Sequence, residues 1–260
     1  MSEIHPSAVI EEGARIGEGC RIGPFCHVGA QVVLQDGVEL KSHVVVTGDT
    51  EIGAQSVVFS FSVIGEIPQD LKFDGERTRL RIGARNRIRE HVTINTGTQG
   101  GGGETRVGDD CLLMAGCHVA HDVQVGDRVI LVNHASVAGH CVIGDDVIVG
   151  GLCGIHQFVR IGRGAIIGAV TMVTNDVIPF GLVQGPRGRL DGLNLVGLKR
   201  RGTGRDEIAA LRAAFRALKE GEGTFHERAE GLKATQSDLV RELSEFVSAQ
   251  SDRQFLTPQG

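Results

Sequence analysis

IHPSAVIEEGARIGEGCRIGPFCHVGAQVVLQDGVELKSHVVVTGDTEIGAQSVVFSFSVI, residues 4–64, places an aliphatic side chain at every sixth position: Ile4, Ile10, Ile16, Ile22, Val28, Leu34, Leu40, Val46, Ile52, Val58 and Ile64. The beat stops, resumes at Ile82, Ile88 and Ile94, and returns from Val107 through Leu113, Val119, Val125, Leu131, Val137, Ile143, Val149, Ile155, Ile161 and Ile167 to Val173. A period of six matches neither the helical 3.6 nor the heptad, so a helix would scatter these residues around its surface. A repeat of this length belongs to a solenoid of short strands.

A glycine follows many of the aliphatic positions (Gly17, Gly23, Gly29, Gly53, Gly65, Gly83, Gly108, Gly126, Gly144, Gly162), as expected of tight turns that use its freedom in φ. Three strands and three turns make a triangular coil of 18 residues. Coils stacked about 4.8 Å apart, the spacing of strands in a sheet, point the aliphatic column inward. The pattern resembles the hexapeptide-repeat acyltransferases. That resemblance implies a left-handed helix, an exception to the usual right-handed crossover. The fold class expected is mainly β: a left-handed parallel β-helix over residues 1–190, then a small α-helical C-terminal domain at 191–260. The helical part is read from Ile208, Leu211, Phe215 and Leu218 on one face and Leu239, Leu243 and Phe246 on another. Pro179 and GLVQGPRGRLDGLN, just past Val177, are expected to end the coils.

With 260 residues, 41% hydrophobic, the chain can bury a large core. Its 27 Lys and Arg against 32 Asp and Glu, a net charge of −5, give no field for nucleic acid or an anionic membrane. No nucleic-acid partner and no transmembrane segment are expected. The N-terminal MSEIHPSAVIEEGARIG lacks the basic and apolar regions of a secretion signal, which points to the cytoplasm. Cys20, Cys26, Cys111, Cys117, Cys141 and Cys153 each stand four residues after an aliphatic position, where Ala, Val or Ser stands in other repeats. They read as small core residues, since metal-type spacing is absent and a cytoplasmic chain keeps its thiols reduced.

Two segments break the beat, 66–81 (EIPQDLKFDGERTRLR) and 97–106 (GTQGGGGETR). They must leave the prism, and such excursions often carry function, although a tolerated surface insertion is the plainer alternative. His118, His121, His134, His140 and His156 fall close together in sequence. Positions 18 apart share a column, so His121 stacks under Gly139 and then Gln157, and Asp122 under His140. Isolated His5, His27, His43 and His226 read as structural. The clustered imidazoles can take up and return a proton near neutral pH. Gly139 could offer a backbone N–H with no side chain in the way. A base and an oxyanion donor on one column suit acyl transfer.

LMAGCHVAHDVQVG, NHASVAGH, GGLCGIHQF and NLVGLKRRG, with GEIPQDLKF, RNRIREHVTIN and the helical tail, resemble the UDP-N-acetylglucosamine O-acyltransferases that open lipid A synthesis. The resemblance spans nearly the whole chain. It implies that His121 takes the proton of the glucosamine 3-hydroxyl, that Asp122 positions it, and that the Gly139 backbone stabilises the oxyanion as a 3-hydroxyacyl chain leaves acyl carrier protein. It further implies that His118, His140, His156 and Gln157 line the cleft for substrate and phosphopantetheine. Asp70 and Lys72 would hold the sugar end, Gln69 would also bind substrate, Asn194 and Arg201 would meet the nucleotide, and Arg200 would face the carrier protein. The resemblance implies a homotrimer with sites between subunits, and no metal or cofactor.

Three positions depart from the family's pattern: Asn95 where His is frequent, Val196 where Glu is frequent, and Ala169 where the residue gauging acyl length is commonly Gly. The first two leave open how the acceptor is held, including whether it presents a 3-amino group. Rival readings are a γ-class carbonic anhydrase with zinc on His118, His121 and His140, a related N-acyltransferase of the same pathway, and a non-catalytic β-helix.

Overall fold

The computed structural model, which describes residues 1–258, turns the six-residue beat into a three-faced prism. Its strands, mostly two residues long, form parallel sheets in the order Glu3–Ile4, Arg21–Ile22, Glu39–Leu40 on the first face, Val9–Ile10, His27–Val28 on the second and Arg15–Ile16, Val33–Leu34 on the third, and so upward. The register is 18 residues per coil wherever no loop intervenes, as in Val119↔Val137 and Val137↔Ile155. The inward side chains from Ile22 to Val173 are buried in one continuous core. Each fully buried Ile or Leu contributes roughly 1.5–3 kcal/mol. The lowest coil departs from the expected column: Ile4 is 45% exposed because no coil lies beneath it, and Ile10 and Ile16 are only partly buried.

Of the glycines that follow the aliphatic positions, Gly65 has the positive φ expected (+84°), but the others have a different purpose. Gly23 and Gly126 do not have positive φ; a Cβ would stand 2.7 Å from the Lys41 carbonyl oxygen at Gly23 and 2.3 Å from Asp145 Oδ1 at Gly126. They are small so that the coil above can close on them. The left-handed turn residue comes two positions later and is usually not glycine, as at Phe25, Arg128, His140 and Phe158. Such residues cost of order 1–3 kcal/mol each. The turns offset part of this by bonding to the coil below: His140 N–H donates to the His121 carbonyl and Phe158 N–H to that of Gly139, each at 3.1 Å.

All six cysteines are free and buried. Among them, burial pushes the Cys141 thiol up to about 12. Both excursions leave at the corner between the second and third faces, on successive coils. They are shorter than the breaks in the beat, because Val63–Glu66, Arg79–Ile82 and Glu104–Val107 are extended strands with Leu80 and Thr105 buried. On the first face Gly181–Gln184, inside the stretch expected to end the coils, adds a last parallel strand, and Arg189–Leu193 returns antiparallel to it.

Four helices follow: α1 (Leu195–Arg200), α2 (Arg205–Glu220), α3 (Phe225–Glu230) and α4 (Asp238–Ser248). α2 buries Ile208, Leu211, Ala214 and Leu218, with Phe215 at the edge of the packing. α4 is rotated from the expected face, burying Val240, Leu243, Ser244 and Val247 while Leu239 and Phe246 are half-buried. Ser237 starts α4 by accepting from Val240 N–H and bonds Glu207 of α2 at 2.7 Å. The Arg163–Glu242 ion pair fastens α4 to the prism.

Candidate active site

The corner between the second and third faces stacks the two excursions, then His121, Gly139 and Gln157, on consecutive coils. His121 donates Nδ1–H to Asp122 Oδ2 at 2.8 Å, which leaves Nε2 as its free nitrogen. That nitrogen lies against Gly139 of the coil above: a Cβ there would come within 2.7 Å of it. Asp122 is fully buried and accepts from Thr98 N–H at 2.8 Å and Thr98 Oγ1–H at 2.6 Å. Its own N–H donates to Thr105 Oγ1 at 2.7 Å. The glycine-rich excursion lies so close over this carboxylate that a Cβ at Gly101 would fall 2.0 Å from Asp122 Cγ. The loop therefore acts as the roof that keeps water from Asp122 and fixes its direction.

Backbone N–H groups at the equivalent position of the third-to-first corner are occupied: Asp109 N–H donates to Asp127 Oδ1, and Asp127 N–H to Asp145 Oδ1, at 2.8 and 2.9 Å. No described residue accepts from the Gly139 N–H. A free donor beside a free imidazole nitrogen is the geometry an oxyanion requires.

A cleft of ≈ 350 Å³ opens here, with Gln69, His118, His121, Ser136, Gly139 and Gln157 in its walls. A larger cavity of ≈ 530 Å³ lies under the first excursion, against Phe73, Glu76 and Thr96, and contains none of the histidines. His118 bonds Thr93 Oγ1 through Nδ1 at 2.8 Å. His140 stands edge-on to His121 at 4.9 Å and stacks flat on Phe158 at 4.5 Å. Burial, and in smaller part the neighbouring imidazole of His121, hold His118 below the usual histidine range; burial does the same to His140. Gln69 of the first excursion forms part of the cleft wall, so that excursion, with Asp70 and Lys72 next along it, reaches the cleft.

The depressed histidines predict a pH dependence of stability. Their folded forms bind a proton less readily than the unfolded chain, so their stabilisation is complete above the unfolded value, about 6.5, and is lost as pH falls below it. The thermal midpoint should drop between about pH 7.5 and 5.5. His118→Gln with His140→Gln should flatten that slope; an unchanged slope would mean that neither is held neutral.

Ligand atoms of His121, Asp122 and His140 lie within 4.8 Å of one another. This trio differs from the three histidines a carbonic-anhydrase-like zinc site would use, since Asp122 replaces His118. Thr98 and His121 already occupy both oxygens of Asp122.

Within one chain most of the remaining site candidates lie elsewhere, His156 excepted. His156 stands one coil above Ala138, at the upper end of the cleft. Ala169 is exposed at the first-to-second corner. Asn194 is buried at the start of α1, where its side chain accepts from Gly197 N–H and donates to the Gly164 carbonyl at the third-to-first corner, each at 2.9 Å. Arg201 packs beside Gly164, its positive charge disfavoured by burial, and Arg200 is exposed. Asn95 is an anchor for the first excursion, donating to the carbonyls of Glu66 and Ile67 at 3.2 and 2.9 Å. Its Oδ1 is buried with no partner among the described residues. Thr98 and Thr105, which set Asp122, were not singled out in the sequence; only the break around them marked the place.

Residues 176–256 match the family described as UDP N-acetylglucosamine O-acyltransferase, domain 2, and residues 13–48 and 104–139 match the bacterial transferase hexapeptide. An acyl-[acyl-carrier-protein]–UDP-N-acetylglucosamine O-acyltransferase from Paracoccus denitrificans is 67% identical over 203 residues, 78% of this chain and 77% of that protein. The enzyme of the same name from Caulobacter vibrioides is 50% identical over 98% of each chain. The solved UDP-N-acetylglucosamine acyltransferase of Campylobacter jejuni superposes with a TM-score of 0.93 at 39% identity, covering 99% of this chain and 100% of the other. The prism is thus the left-handed β-helix of these proteins.

Proposed function

Because this chain belongs to the acyl-[acyl-carrier-protein]–UDP-N-acetylglucosamine O-acyltransferases, enzymes of lipid A biosynthesis, we propose that its His121, Asp122 and Gly139 carry the transfer. The observation that supports this is the pairing of a free His121 Nε2, its other nitrogen fixed on buried Asp122, with a free Gly139 N–H on the next coil. Nε2 takes the proton of the glucosamine 3-hydroxyl as that oxygen attacks the thioester carbonyl of a 3-hydroxyacyl carrier protein. The Gly139 N–H receives the charge that gathers on the carbonyl oxygen. As the C–S bond breaks, Nε2 returns the proton to the departing thiolate. Asp122, held by Thr98, keeps the imidazole in the tautomer this needs and stabilises its protonated form.

Gln69, Asp70 and Lys72 hold the sugar end in this reading, while His118, His140, His156 and Gln157 line the path of the acyl donor. Asn194, Arg200 and Arg201 sit at a different corner from His121, so they serve a cleft only through another copy of the chain. A homotrimer provides that meeting. It also covers the exposed Phe25, Phe61, Leu152 and Val170 along the first-to-second corner and the fully exposed Leu71 at the tip of the first excursion. Among the described residues no helix is long and apolar enough to cross a membrane, and the free cysteines suit a reducing compartment, so we place the trimer in the cytoplasm.

The purified protein, given UDP-N-acetylglucosamine and 3-hydroxyacyl carrier protein, is expected to yield the 3-O-acylated sugar nucleotide by mass spectrometry. A product formed only from a 3-amino sugar nucleotide would refute the hydroxyl acceptor. Ala169 carries one methyl more than the glycine common at its position and should shorten the accepted chain. Ala169→Gly is expected to move preference toward longer hydroxyacyl carriers by roughly 10-fold or more, the worth of about one methylene. An unchanged length profile would remove Ala169 from the acyl groove.

A further inference from the structure

The C-terminal tail is tied down next to the cleft by a buried carboxylate. Asp176, fully buried, receives Arg160 Nε–H at 2.7 Å and Ser251 Oγ–H at 2.6 Å on its side chain. Its backbone pairs with the tail on both sides: Asp176 N–H donates to the Gln254 carbonyl and Leu256 N–H to the Asp176 carbonyl, each at 2.8 Å. The Arg160 guanidinium lies over the rings of Phe246 and Phe255, at 4.8 and 5.6 Å from their centroids. Arg253, between these anchors, has its backbone N–H on Ser251 Oγ. Its guanidinium donates Nε–H to the Gln157 carbonyl at 3.1 Å and sets Nη2 2.7 Å from His156 Nδ1.

A guanidinium has donors and no acceptor, so the short contact requires that His156 Nδ1 present a lone pair. The second neighbour of that nitrogen, the Gln157 carbonyl, is an acceptor at the longer distance of 3.3 Å and would favour the opposite tautomer. Arg253 decides between them, and a neutral imidazole whose Nδ1 accepts carries its proton on Nε2.

We propose that Arg253 is a positioning residue of the acyl-transfer site, holding His156 in the Nε2–H tautomer so that it meets the substrate only as a donor, to an oxygen of the acyl-donor arm. The inference rests on the reading that places His156 in the donor's path. It assigns opposite tasks to two imidazoles: His121, with Nδ1–H on a carboxylate, offers Nε2 as a base, and His156, with Nδ1 on a guanidinium, offers Nε2–H as a donor.

Ring-nitrogen NMR of histidine-labelled protein, with His156 assigned from a His156→Gln spectrum, tests the tautomer directly. The expected spectrum has a protonated Nε2 and a bare Nδ1 at His156. Arg253→Met should lose that pattern, and Arg253→Lys, which restores a donor without an acceptor, should retain it. Arg253→Met is also expected to raise KM for the acyl carrier by about tenfold, the worth of one hydrogen bond, with a smaller change in kcat; Lys should restore most of it. Circular dichroism identifies any variant that fails to fold, and beyond the His156→Gln spectrum used for assignment the wild-type tautomer is read without any Arg253 variant. A wild-type Nδ1–H, or a pattern unchanged by Arg253→Met, overturns the proposal. Unaltered kinetics in both His156→Gln and Arg253→Met, with the tautomer as expected, would instead refute the placement of His156 in the donor's path.

Discussion

His121→Ala is expected to lower kcat by about 10² to 10⁴, the range that removal of a general base produces, while leaving the fold intact. The side chain is 14% exposed and stands at a corner of the prism, outside the aliphatic column that holds the coils together. Single-turnover acyl transfer with both substrates saturating separates chemistry from binding. Removal of the base should slow the single turnover as much as kcat and change KM little. A variant within a few-fold of wild type would leave the histidine cluster without a catalytic purpose and favour a non-catalytic β-helix.

Gly139→Ala should be nearly as damaging, for a reason particular to this corner. The added methyl would meet His121 Cε1 at 2.5 Å and Nε2 at 2.7 Å. The imidazole must swing away, and its 2.8 Å bond to Asp122 cannot survive a displacement of that size. Gly139 does not have positive φ, so alanine brings no backbone strain of its own and preserves the N–H. A loss of about 10² in kcat is expected from misplacement of the base by about 1 Å, with little change in thermal midpoint. Wild-type kcat in this variant would show that the imidazole is not packed on Gly139 as described.

The fold was legible because the inward position of each strand accepts little besides Ile, Leu and Val, and because a period of six admits few architectures. Column arithmetic in steps of 18 likewise brought His121, Gly139 and Gln157 to one corner. It failed where position depends on something aperiodic. Thr98 and Thr105 reach Asp122 from an excursion whose path no repeat specifies, and Arg253 arrives from a tail some hundred residues beyond His156. The glycines after the aliphatic positions were ascribed to φ because a sequence does not distinguish a turn that needs freedom from a coil that needs room. Gly126 needs room, and Arg128, two residues later, takes the left-handed conformation. Asn194 and Arg201 raise a different problem: a single prism sets them at another corner, and only the arrangement of neighbouring copies can bring them to a cleft.

The double-mutant cycle of His121→Ala and Gly139→Ala tests the central geometry most directly. If Gly139→Ala acts by displacing the imidazole, its effect should almost vanish once the imidazole is gone, so that the double variant is about as slow as His121→Ala alone. Two losses that multiply in full would contradict the account, since they would mean that the base and the glycine above it act independently.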